Sequence, residues 1–385
     1  MKNGKPNLLL VIPNLGSGGA QRVFHQHRQF FSDDYNVVSC VFNFDGAFPN
    51  EINDNILSLD VPAGTNIFSK VSNFFKRVGR LKKIKKDNSI DITISHLEGA
   101  DYVNILSHKK DKIVLWIHGT KVHDQEIRGF IGAFRRVLLL PRLYRRADKI
   151  VCVSVGITEE LRTLIPAVYD DIVTVQNGVD VSSIRERSME PLPSNWQEVM
   201  SKYFVVVTHC RFAPQKNLRA LLHIIAKLKD LDHVRFVILG DGEQREDLLQ
   251  LATTLQIEDH LFFPGQQSNP FPWLRQSKLY VLTSLWEGFP LSICEAIACG
   301  LPIVAADCYT GPKEILSLSN AGMLAPLVHE SSNFSIDAWS NILRKIIGDA
   351  QALDGYRKNA LENADKFSSD NSKRETLSLI KDVLK

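Results

Sequence analysis

Short apolar runs alternate with longer amphipathic stretches along most of this chain. The runs of the first half lie at residues 8–12, 36–42, 91–95, 112–117, 149–153 and 172–175. Those of the second half lie at 203–208, 234–239, 261–264, 279–283 and 303–306. A continuously apolar run is typical of a strand that is buried on both faces of a parallel sheet. The alternation therefore predicts an α/β fold built from parallel sheets.

The length of 385 residues exceeds what one ordinary hydrophobic core supports, so the sequence predicts two domains. Residues 182–197 lose the periodicity and contain Pro191 and Pro193, which favours an interdomain linker there. The predicted domains are residues 1–187 and 188–369. Helices are predicted over 338–347, 355–367 and 372–384.

The most informative stretch is residues 284–307, SLWEGFPLSICEAIACGLPIVAAD. Glu287 and Glu295 are eight residues apart, and the intervening Gly288 and Pro290 prevent one helix from holding both. Ser292 and Glu295 have the spacing of a capping box, which predicts a helix start near Leu291. A helix start favours a phosphate because its N–H groups are unpaired and its dipole is positive. Taken alone, Glu295 is more simply a capping residue than a ligand of a substrate.

Several other polar residues follow predicted strands of the second half. Arg211 and Lys216 come after the strand at 203–208, and both glutamates come after the strand at 279–283. Parallel strands end at the same edge of a sheet, so these residues are predicted to share one cleft. Two cations, a helix start and a carboxylate for ribose hydroxyls suit a nucleoside-diphosphate leaving group.

The first half offers weaker signals. Residues 14–20, NLGSGGA, form a glycine-rich loop between a strand and a helix, which fits either a plain turn or the approach of a sugar or phosphate. His118 directly follows the strand at 112–117. A lone histidine is more often structural, but this position at a strand end favours function.

Composition and charge exclude several classes of function. The net charge of +3 consists of +6 up to Arg187 and −3 beyond it, and no module for DNA or RNA is evident, so no nucleic-acid partner is predicted. The six cysteines are scattered, which favours a reducing cytoplasm. No apolar run is long enough to span a bilayer. No metal is predicted, because the only D-x-D is Asp230-Leu231-Asp232, between a helix and a strand at the opposite edge of the sheet.

Two basic stretches have two interpretations. Residues 70–86 carry eight lysines or arginines and no acid, with apolar residues at helical spacing; these are Val71, Phe74, Phe75, Val78 and Leu81. Residues 135–149 add five arginines around an apolar run. Each stretch is either a surface helix with a solvated basic face or a docking surface for anionic lipid headgroups. The second interpretation places the protein on the cytoplasmic face of the inner membrane.

With these motifs in order, the chain resembles the retaining glycosyltransferases of family 4, from Leu8 to its last helix. The most specific likeness is Glu287 through Glu295, the family's pattern of two glutamates separated by seven residues. The other matching motifs are Gly18-Gly19-Ala20, His118-Gly119, Asn177-Gly178-Val179-Asp180, Arg211 with Lys216, Gly240-Asp241-Gly242 and Gly311-Pro312-Lys313-Glu314-Ile315. The resemblance implies the GT-B fold of two facing Rossmann-like domains, with the last helix, about 370–385, returning to the first domain.

The resemblance also implies roles. Arg211 and Lys216 would bind the donor diphosphate, Glu295 the ribose, and Gly265 would lie near the base. Glu287 would hold the transferred sugar near the reacting centre, together with the backbone of Gly288, Phe289, Pro290 and Leu291. His118 would approach that sugar, and Gly18 and Gly19 would border donor and acceptor. The implied reaction moves a sugar from a nucleotide sugar, a UDP-sugar above all, to a lipid-linked or polysaccharide acceptor, with retention and without a metal.

Two positions depart from the family pattern. Cys210 precedes Arg211 where glycine is usual, and Gln21 replaces a common glutamate. Residues 307–312 look most like members that build bacterial surface glycans. The alternative functions are a non-catalytic binding subunit and a sugar-nucleotide epimerase of the same fold. The sequence leaves the sugar, the acceptor and the linkage undetermined.

Overall fold

The computed structural model describes residues 4–16, 18–44, 56–122 and 129–385, which form two compact units. Unit 1 contains the chain up to Gln176 together with Ser372–Lys385, and unit 2 contains Asn177–Asn371. Each unit is built around one parallel sheet, so the predicted α/β alternation is confirmed.

The sheet of unit 1 has seven strands in the order β3-β2-β1-β4-β5-β6-β7. They are β1 (Asn7–Ile12), β2 (Asn36–Val41), β3 (Ile56–Ser58), β4 (Ile92–His96), β5 (Lys112–Ile117), β6 (Lys149–Cys152) and β7 (Ile172–Thr174). Its helices are α1 (Gly19–Phe31), α2 (Ile67–Asp87), α3 (Glu98–Leu106), α4 (Gly129–Phe134), α5 (Leu140–Tyr144) and α6 (Val155–Leu164), with a π-helical turn at Arg135–Leu139 and a 3-10 helix at Pro166–Asp171.

The sheet of unit 2 has six strands in the order β10-β9-β8-β11-β12-β13. They are β8 (Phe204–His209), β9 (Val234–Leu239), β10 (Leu261–Gly265), β11 (Leu279–Leu282), β12 (Ile303–Ala306) and β13 (Gly322–Ala325). Its helices are α7 (Val181–Arg187), α8 (Ser194–Lys202), α9 (Leu218–Ala226), α10 (Arg245–Leu255), α11 (Phe271–Gln276), α12 (Leu291–Ala298), α13 (Pro312–Ser319), α14 (Asn333–Ile347) and α15 (Ala350–Asn363). Short 3-10 helices lie at Pro214–Lys216, Glu258–His260 and Ala364–Phe367.

The apolar pattern identifies the central strands because they are buried on both faces; Leu8, Leu9 and Leu10 of β1, for example, are inaccessible to solvent. It does not predict β3 and β13, which are short, partly exposed strands at the sheet edges. In each sheet the strand order reverses beside the first strand, between β1 and β4 and between β8 and β11. Ligands of open parallel sheets bind beyond the carboxyl ends of the strands at such a reversal.

The interdomain linker predicted at 182–197 is wrong. Residues 181–187 form α7, and residues 194–202 form α8. Asp180 caps α7 by accepting a hydrogen bond from the Ser183 N–H at 2.9 Å, and α7 lies against α11 and α12 of unit 2. The division therefore falls at Gln176 instead of residue 187. Short helices anchored by a cap carry too little periodicity for the sequence pattern to reveal them.

The last helix, α16 (Ser369–Leu384), begins in unit 2, and its residues from Ser372 onward cluster with unit 1, as predicted. Lys381 lies 3.3 Å from Asp34, and Ile380 is fully buried. Within unit 2, its first and last residues lie side by side, and the N–H of Ser369 donates to the Val179 carbonyl at 2.8 Å. A Cβ on Gly178 would lie 2.6 Å from the Ser368 carbonyl oxygen, so this glycine has a structural role.

Unit 1 contains a buried carboxyl group next to β4, that of Asp101 in α3. Asp101 is inaccessible to solvent and accepts hydrogen bonds from Ser95 Oγ at 2.7 Å and from the Tyr144 hydroxyl at 2.8 Å. Burial outweighs the favourable effects of Lys121, Ser95 and Tyr144 and raises the pKa of Asp101 to about 7. Ionisation of this carboxyl therefore opposes folding above the pKa of the unfolded chain.

We predict that Asp101→Asn stabilises unit 1 more at pH 8 than at pH 5. The folded-state pKa is raised, so the contribution of Asp101 is fully present below the unfolded value of 3.8 and is lost as pH rises toward 7. Asparagine stays neutral and keeps both hydroxyl partners, so its advantage should grow by about 1–3 kcal/mol between the two pH values. Thermal unfolding at both pH values measures the difference. Asp87→Asn, on the exposed end of α2, is the control; an equal gain at both pH values for Asp101→Asn would contradict the buried ionisation.

Candidate functional site

The helix predicted near Leu291 begins at that residue, but the capping box is wrong. Pro290 is the residue before the helix, and no side chain caps α12. Glu295 lies in the second turn, where its Oε2 is 2.7 Å from Nε2 of His209, the last residue of β8. No side chain therefore occupies the N–H groups at the start of α12, where the N–H of Ile293 donates to the Pro290 carbonyl at 3.0 Å, and Glu295 faces the carboxyl edge of the sheet.

Lys216 and Glu287 form a largely buried ion pair at this edge. Lys216 Nζ lies 2.6 Å from Glu287 Oε1, and Ser284 Oγ donates to the same oxygen at 2.7 Å. Burial alone would lower the pKa of Lys216, but the Glu287 carboxylate outweighs it and raises the pKa above its ordinary value. Lys216 is therefore a cation at neutral pH. Among the described residues, none donates to the second oxygen of Glu287.

Several hydrogen bonds join the loop after β8 to the loop after β11. Gln215 Nε2 donates to the Trp286 carbonyl at 2.7 Å, and the N–H of Leu285 donates to the Gln215 carbonyl at 2.9 Å. Asn217, in a left-handed conformation, donates from Nδ2 to the Thr283 carbonyl at 3.3 Å. These contacts fix Lys216 beside Glu287 without help from a ligand.

The backbone from Gly288 to Leu291 is covered by the loop that precedes α13. Thr310 Oγ1 donates to the Glu287 carbonyl. Gly311 has a φ of +88°, and a Cβ there would lie 2.6 Å from Pro290 Cδ and 2.9 Å from the Gly288 carbonyl oxygen. Phe289 and Leu291 are each 6% exposed. This close approach explains why the motif around Gly311 accompanies the two glutamates.

Arg211 lies two residues beyond β8 and is exposed, with no ion-pair partner among the described residues. The loop after β9 passes close to the residue that precedes Arg211. A Cβ on Gly240 would lie 1.9 Å from the Cys210 carbonyl oxygen. Gly265 ends β10, and its carbonyl accepts from the Gly240 N–H at 3.0 Å. A Cβ on Gly265 would meet no atom within 4 Å, so open space lies beside it.

The predicted residues of unit 1 lie beyond the carboxyl ends of β1 and β5, at or next to the point where its strand order reverses. Gly18 precedes α1 and Gly19 begins it; α1 has no side-chain cap and no acid in its first turn. Ser17 of this loop lies outside the described residues. His118 follows β5, and its Nε2 lies 2.9 Å from Nδ1 of His96, the last residue of β4. Burial, and then the Lys121 charge, lower the pKa of His118, so the imidazole is neutral at pH 7.

Charges next to His118 are paired within unit 1. Glu98 lies 3.1 Å from Lys121 Nζ, and both of its oxygens accept from Arg135. Burial would raise the pKa of Glu98, but Lys121, Arg135 and Tyr102 outweigh it and lower the pKa to about 2. Arg135, from the second basic stretch, is thus committed to an internal ion pair. Val137 of that stretch and the preceding Phe134 remain exposed.

The helix predicted from the first basic stretch is α2, but its apolar residues do not form one stripe. Phe74, Val78 and Leu81 pack into the core, whereas the N-terminal part of the helix exposes an apolar surface, called here the α2 patch. The α2 patch consists of Ile67, Phe68, Val71 and Phe75. Exposed lysines that form no ion pair with a described carboxylate accompany it: Lys70, Lys76, Lys82, Lys83 and Lys86. Lys85 instead turns inward and lies 2.8 Å from Asp111.

Two further observations concern metals and membranes. Within the described ranges, no group of three or more His, Cys, Asp or Glu residues could hold a metal ion. Asp230 and Asp232 precede β9 at the opposite sheet edge from the glutamates, as predicted, and Asp230 is paired with Arg344 at 2.7 Å. None of the described helices combines the length and apolarity needed to cross a bilayer.

Sequence reasoning missed His96, His209, Ser284 and Thr310, which contact the predicted site residues directly. The sequence does contain a signal for the two histidines: each is the last residue of a strand that flanks the point where the strand order reverses. Nothing in the sequence singles out Ser284 and Thr310.

Known proteins resemble this chain in both units. It is 26% identical over 254 residues to an uncharacterised glycosyltransferase of Methanocaldococcus jannaschii, an alignment that covers 63% of this chain and 61% of the relative. Over 384 residues it is 23% identical to the N-acetylgalactosamine-N,N'-diacetylbacillosaminyl-diphospho-undecaprenol 4-alpha-N-acetylgalactosaminyltransferase of Campylobacter jejuni, covering 96% of this chain and 97% of that one.

A solved structure supports the same fold. The Anabaena protein HepE, crystallised in complex with UDP, superposes with a TM-score of 0.76 at 18% identity and covers 98% of this chain and 100% of its own. Two family models match in sequence: Glycosyltransferase Family 4 over residues 17–183, and Glycosyl transferases group 1 over residues 193–366. With these matches and its two Rossmann-like sheets, the chain belongs to the group 1 glycosyltransferases of family 4, which have the GT-B fold.

Proposed function

We propose that this protein transfers a sugar from a UDP-sugar to a lipid-linked or polysaccharide acceptor in the synthesis of a bacterial surface glycan. The transfer would retain the anomeric configuration and need no metal, as the family resemblance implies. The observation that carries the proposal is the buried Lys216–Glu287 pair beside the uncapped start of α12, with Glu295 on the same helix. The six free thiols agree with a cytoplasmic location.

The charges at this edge suit a departing diphosphate. Lys216 is held cationic, Arg211 is exposed and unpaired among the described residues, and α12 directs its positive end toward the same loop. A diphosphate would compete with Glu287 for Lys216 and would free the carboxylate to bind the sugar. Preorganised cations and N–H groups of this kind stabilise negative charge that develops on a leaving group.

Two comparisons support the substrate classes. The Anabaena structure with the same fold holds UDP. The Campylobacter relative is named for an acceptor on diphospho-undecaprenol, and its alignment spans nearly the whole chain. We therefore propose UDP as the nucleotide and a lipid diphosphate as the carrier of the acceptor.

We predict that Lys216→Ala and Glu287→Gln separate donor binding from turnover. Lys216→Ala should weaken UDP binding by about tenfold or more, because a buried charge-assisted contact to the diphosphate is lost. Glu287→Gln should leave UDP binding unchanged or tighter, since it removes the competing carboxylate, yet lower turnover by about 100-fold. Calorimetry with UDP and a nucleotide-release assay with UDP-sugars and lipid extract measure the two effects.

Lys227→Ala is the matched control, because Lys227 pairs with Asp337 on the exposed surface of the same unit. Lys216→Gln replaces Lys216→Ala if the latter unfolds. Turnover at the wild-type rate in both the Lys216 and Glu287 variants would refute the site. Nucleotide release without any acceptor, accompanied by conversion of the sugar nucleotide, would indicate an epimerase.

Glu295 provides a separate test of the nucleotide position. If Glu295 binds the ribose, wild-type protein should bind UDP about tenfold or more tightly than 2′-deoxy-UDP, because a site built for a hydroxyl rejects the analogue that lacks it. In Glu295→Gln this preference should shrink. In Lys216→Ala both nucleotides should weaken equally. A preference unchanged by Glu295→Gln would show that the carboxylate serves only His209.

We further propose that the α2 patch docks on an anionic membrane surface. Phe68 is 88% exposed and Phe75 62% exposed, and exposed lysines continue along the same helix. Each apolar side chain that enters the lipid boundary contributes about 1.5–3 kcal/mol, and each lysine near an anionic surface about 1 kcal/mol. Neighbouring arginines do not add to this, since Arg77 and Arg80 donate to backbone carbonyls at residues 59–62.

We predict that the protein co-sediments with vesicles that contain phosphatidylglycerol and that Phe68→Ser with Phe75→Ser lowers the bound fraction at least about tenfold. Raising the ionic strength from about 0.1 M to about 1 M should release the protein, because the screening length falls from about 10 Å to about 3 Å. Phe334→Ser is the matched control, since Phe334 is 86% exposed in unit 2. Equal binding to neutral vesicles, or equal loss in the control, would contradict lipid docking through α2.

A further inference from the structure

Behind His118 lies a buried cluster of rings that the proposed reaction does not use. His27 of α1, His96 of β4 and Trp116 of β5 are each at most 1% exposed. The ring centroids of His27 and Trp116 are 4.3 Å apart, those of His27 and His96 5.1 Å, and those of His96 and His118 5.1 Å. Burial, reinforced by the neighbouring histidines, lowers the pKa of His27 and His96, so the cluster is neutral at pH 7.

One hydrogen bond connects this cluster to the candidate site. His96 Nδ1 and His118 Nε2 are 2.9 Å apart, and the two rings stack with 27° between their planes. His118 can therefore offer only Nδ1 to a substrate. No described residue bonds to that atom.

The surroundings of His96 decide which ring donates. If His118 donated from Nε2, neutral His96 would carry its proton on Nε2, which has no partner among the described residues. A buried N–H without an acceptor is unfavourable, because it gives up its hydrogen bond to water and gains none in return. Trp116 Nε1, also buried and unpartnered there, can only donate and cannot accept that proton. With His96 donating from Nδ1, only a lone pair is left unpartnered, which folded proteins tolerate better.

We infer that His96 is a positioning residue that fixes the ring and the tautomer of His118, so that His118 presents Nδ1–H as a neutral hydrogen-bond donor to an oxygen of the transferred sugar. This inference rests on the proposed function, in which His118 contacts that sugar. It assigns His118 the role of a donor, not a base, because its only remaining nitrogen carries the proton.

The tautomer can be measured without any turnover. In protein labelled with ¹⁵N-histidine, the His118 signals are identified by their loss in His118→Gln, which is needed because the chain has 11 histidines. We expect Nδ1 of His118 to be protonated and Nε2 to be bare in the wild type at pH 7. A protonated Nε2 would overturn the inference whether or not the protein proves to be a glycosyltransferase.

Two substitutions of His96 form a matched pair. His96→Asn places an amide N–H near the position of Nδ1, whereas His96→Gln places its amide near Nε2 and breaks the bond to His118. We expect His96→Asn to keep the His118 tautomer and about wild-type kcat. His96→Gln should shift the tautomer and lower kcat by about 10- to 100-fold, with unchanged affinity for UDP, because one donor is misplaced and the nucleotide site is intact.

His27→Phe controls for packing, because His27 touches His96 but has no bond to His118. It should leave the His118 tautomer and kcat unchanged. Equal losses of kcat in His27→Phe and His96→Gln would overturn the positioning role, as would wild-type kcat in His96→Gln. A protein that releases no nucleotide from any donor would instead refute the proposed function, and the NMR measurement would still decide the tautomer.

Discussion

Every strand in both sheets runs parallel to its neighbours, and this constraint determines where polar groups can gather. A parallel sheet needs a crossover between consecutive strands, so all loops at the carboxyl edge meet on one side. Where the strand order reverses, adjacent loops diverge and leave a crevice. Lys216 and Glu287 follow β8 and β11, the pair that flanks this reversal in unit 2. His96, at the end of β4, has the equivalent position in unit 1.

In both units, buried cations beside the predicted site residues are matched by carboxylates. Lys216 is matched by Glu287, and Lys121 and Arg135 are matched by Glu98. Desolvating a charge costs several kcal/mol unless a partner offsets it, so these pairs keep the cations in place before a ligand arrives. The pair in unit 2 differs because Glu287 keeps an oxygen without a described donor; in the proposed reaction, the donor diphosphate would displace this carboxylate from Lys216.

Much of the fold and part of the site were predictable for physical reasons that act locally. The central strands can be identified in the sequence because burial on both faces requires a continuous apolar run, as in β1. The predicted linker failed because α7 is held by the Asp180 cap and by contacts with α11 and α12, which are distant in sequence. The apolar stripe predicted on α2 is divided for a similar reason. Helical spacing places Phe74 and Phe75 side by side, but only the packing of α2 against the sheet determines which of the two side chains is covered.

The sequence by itself determined the two glutamates, the glycines and prolines that separate them, the cations after β8 and the start of α12, because these depend on local backbone chemistry and on strand ends. Only the tertiary structure decided what each side chain bonds to. Glu295 has the spacing of a cap, yet it bonds to His209, because α12 begins at Leu291 and so places Glu295 in its second turn, where the end of β8 supplies an imidazole. The bond between His96 and His118 likewise exists only because β4 and β5 are neighbours in the sheet.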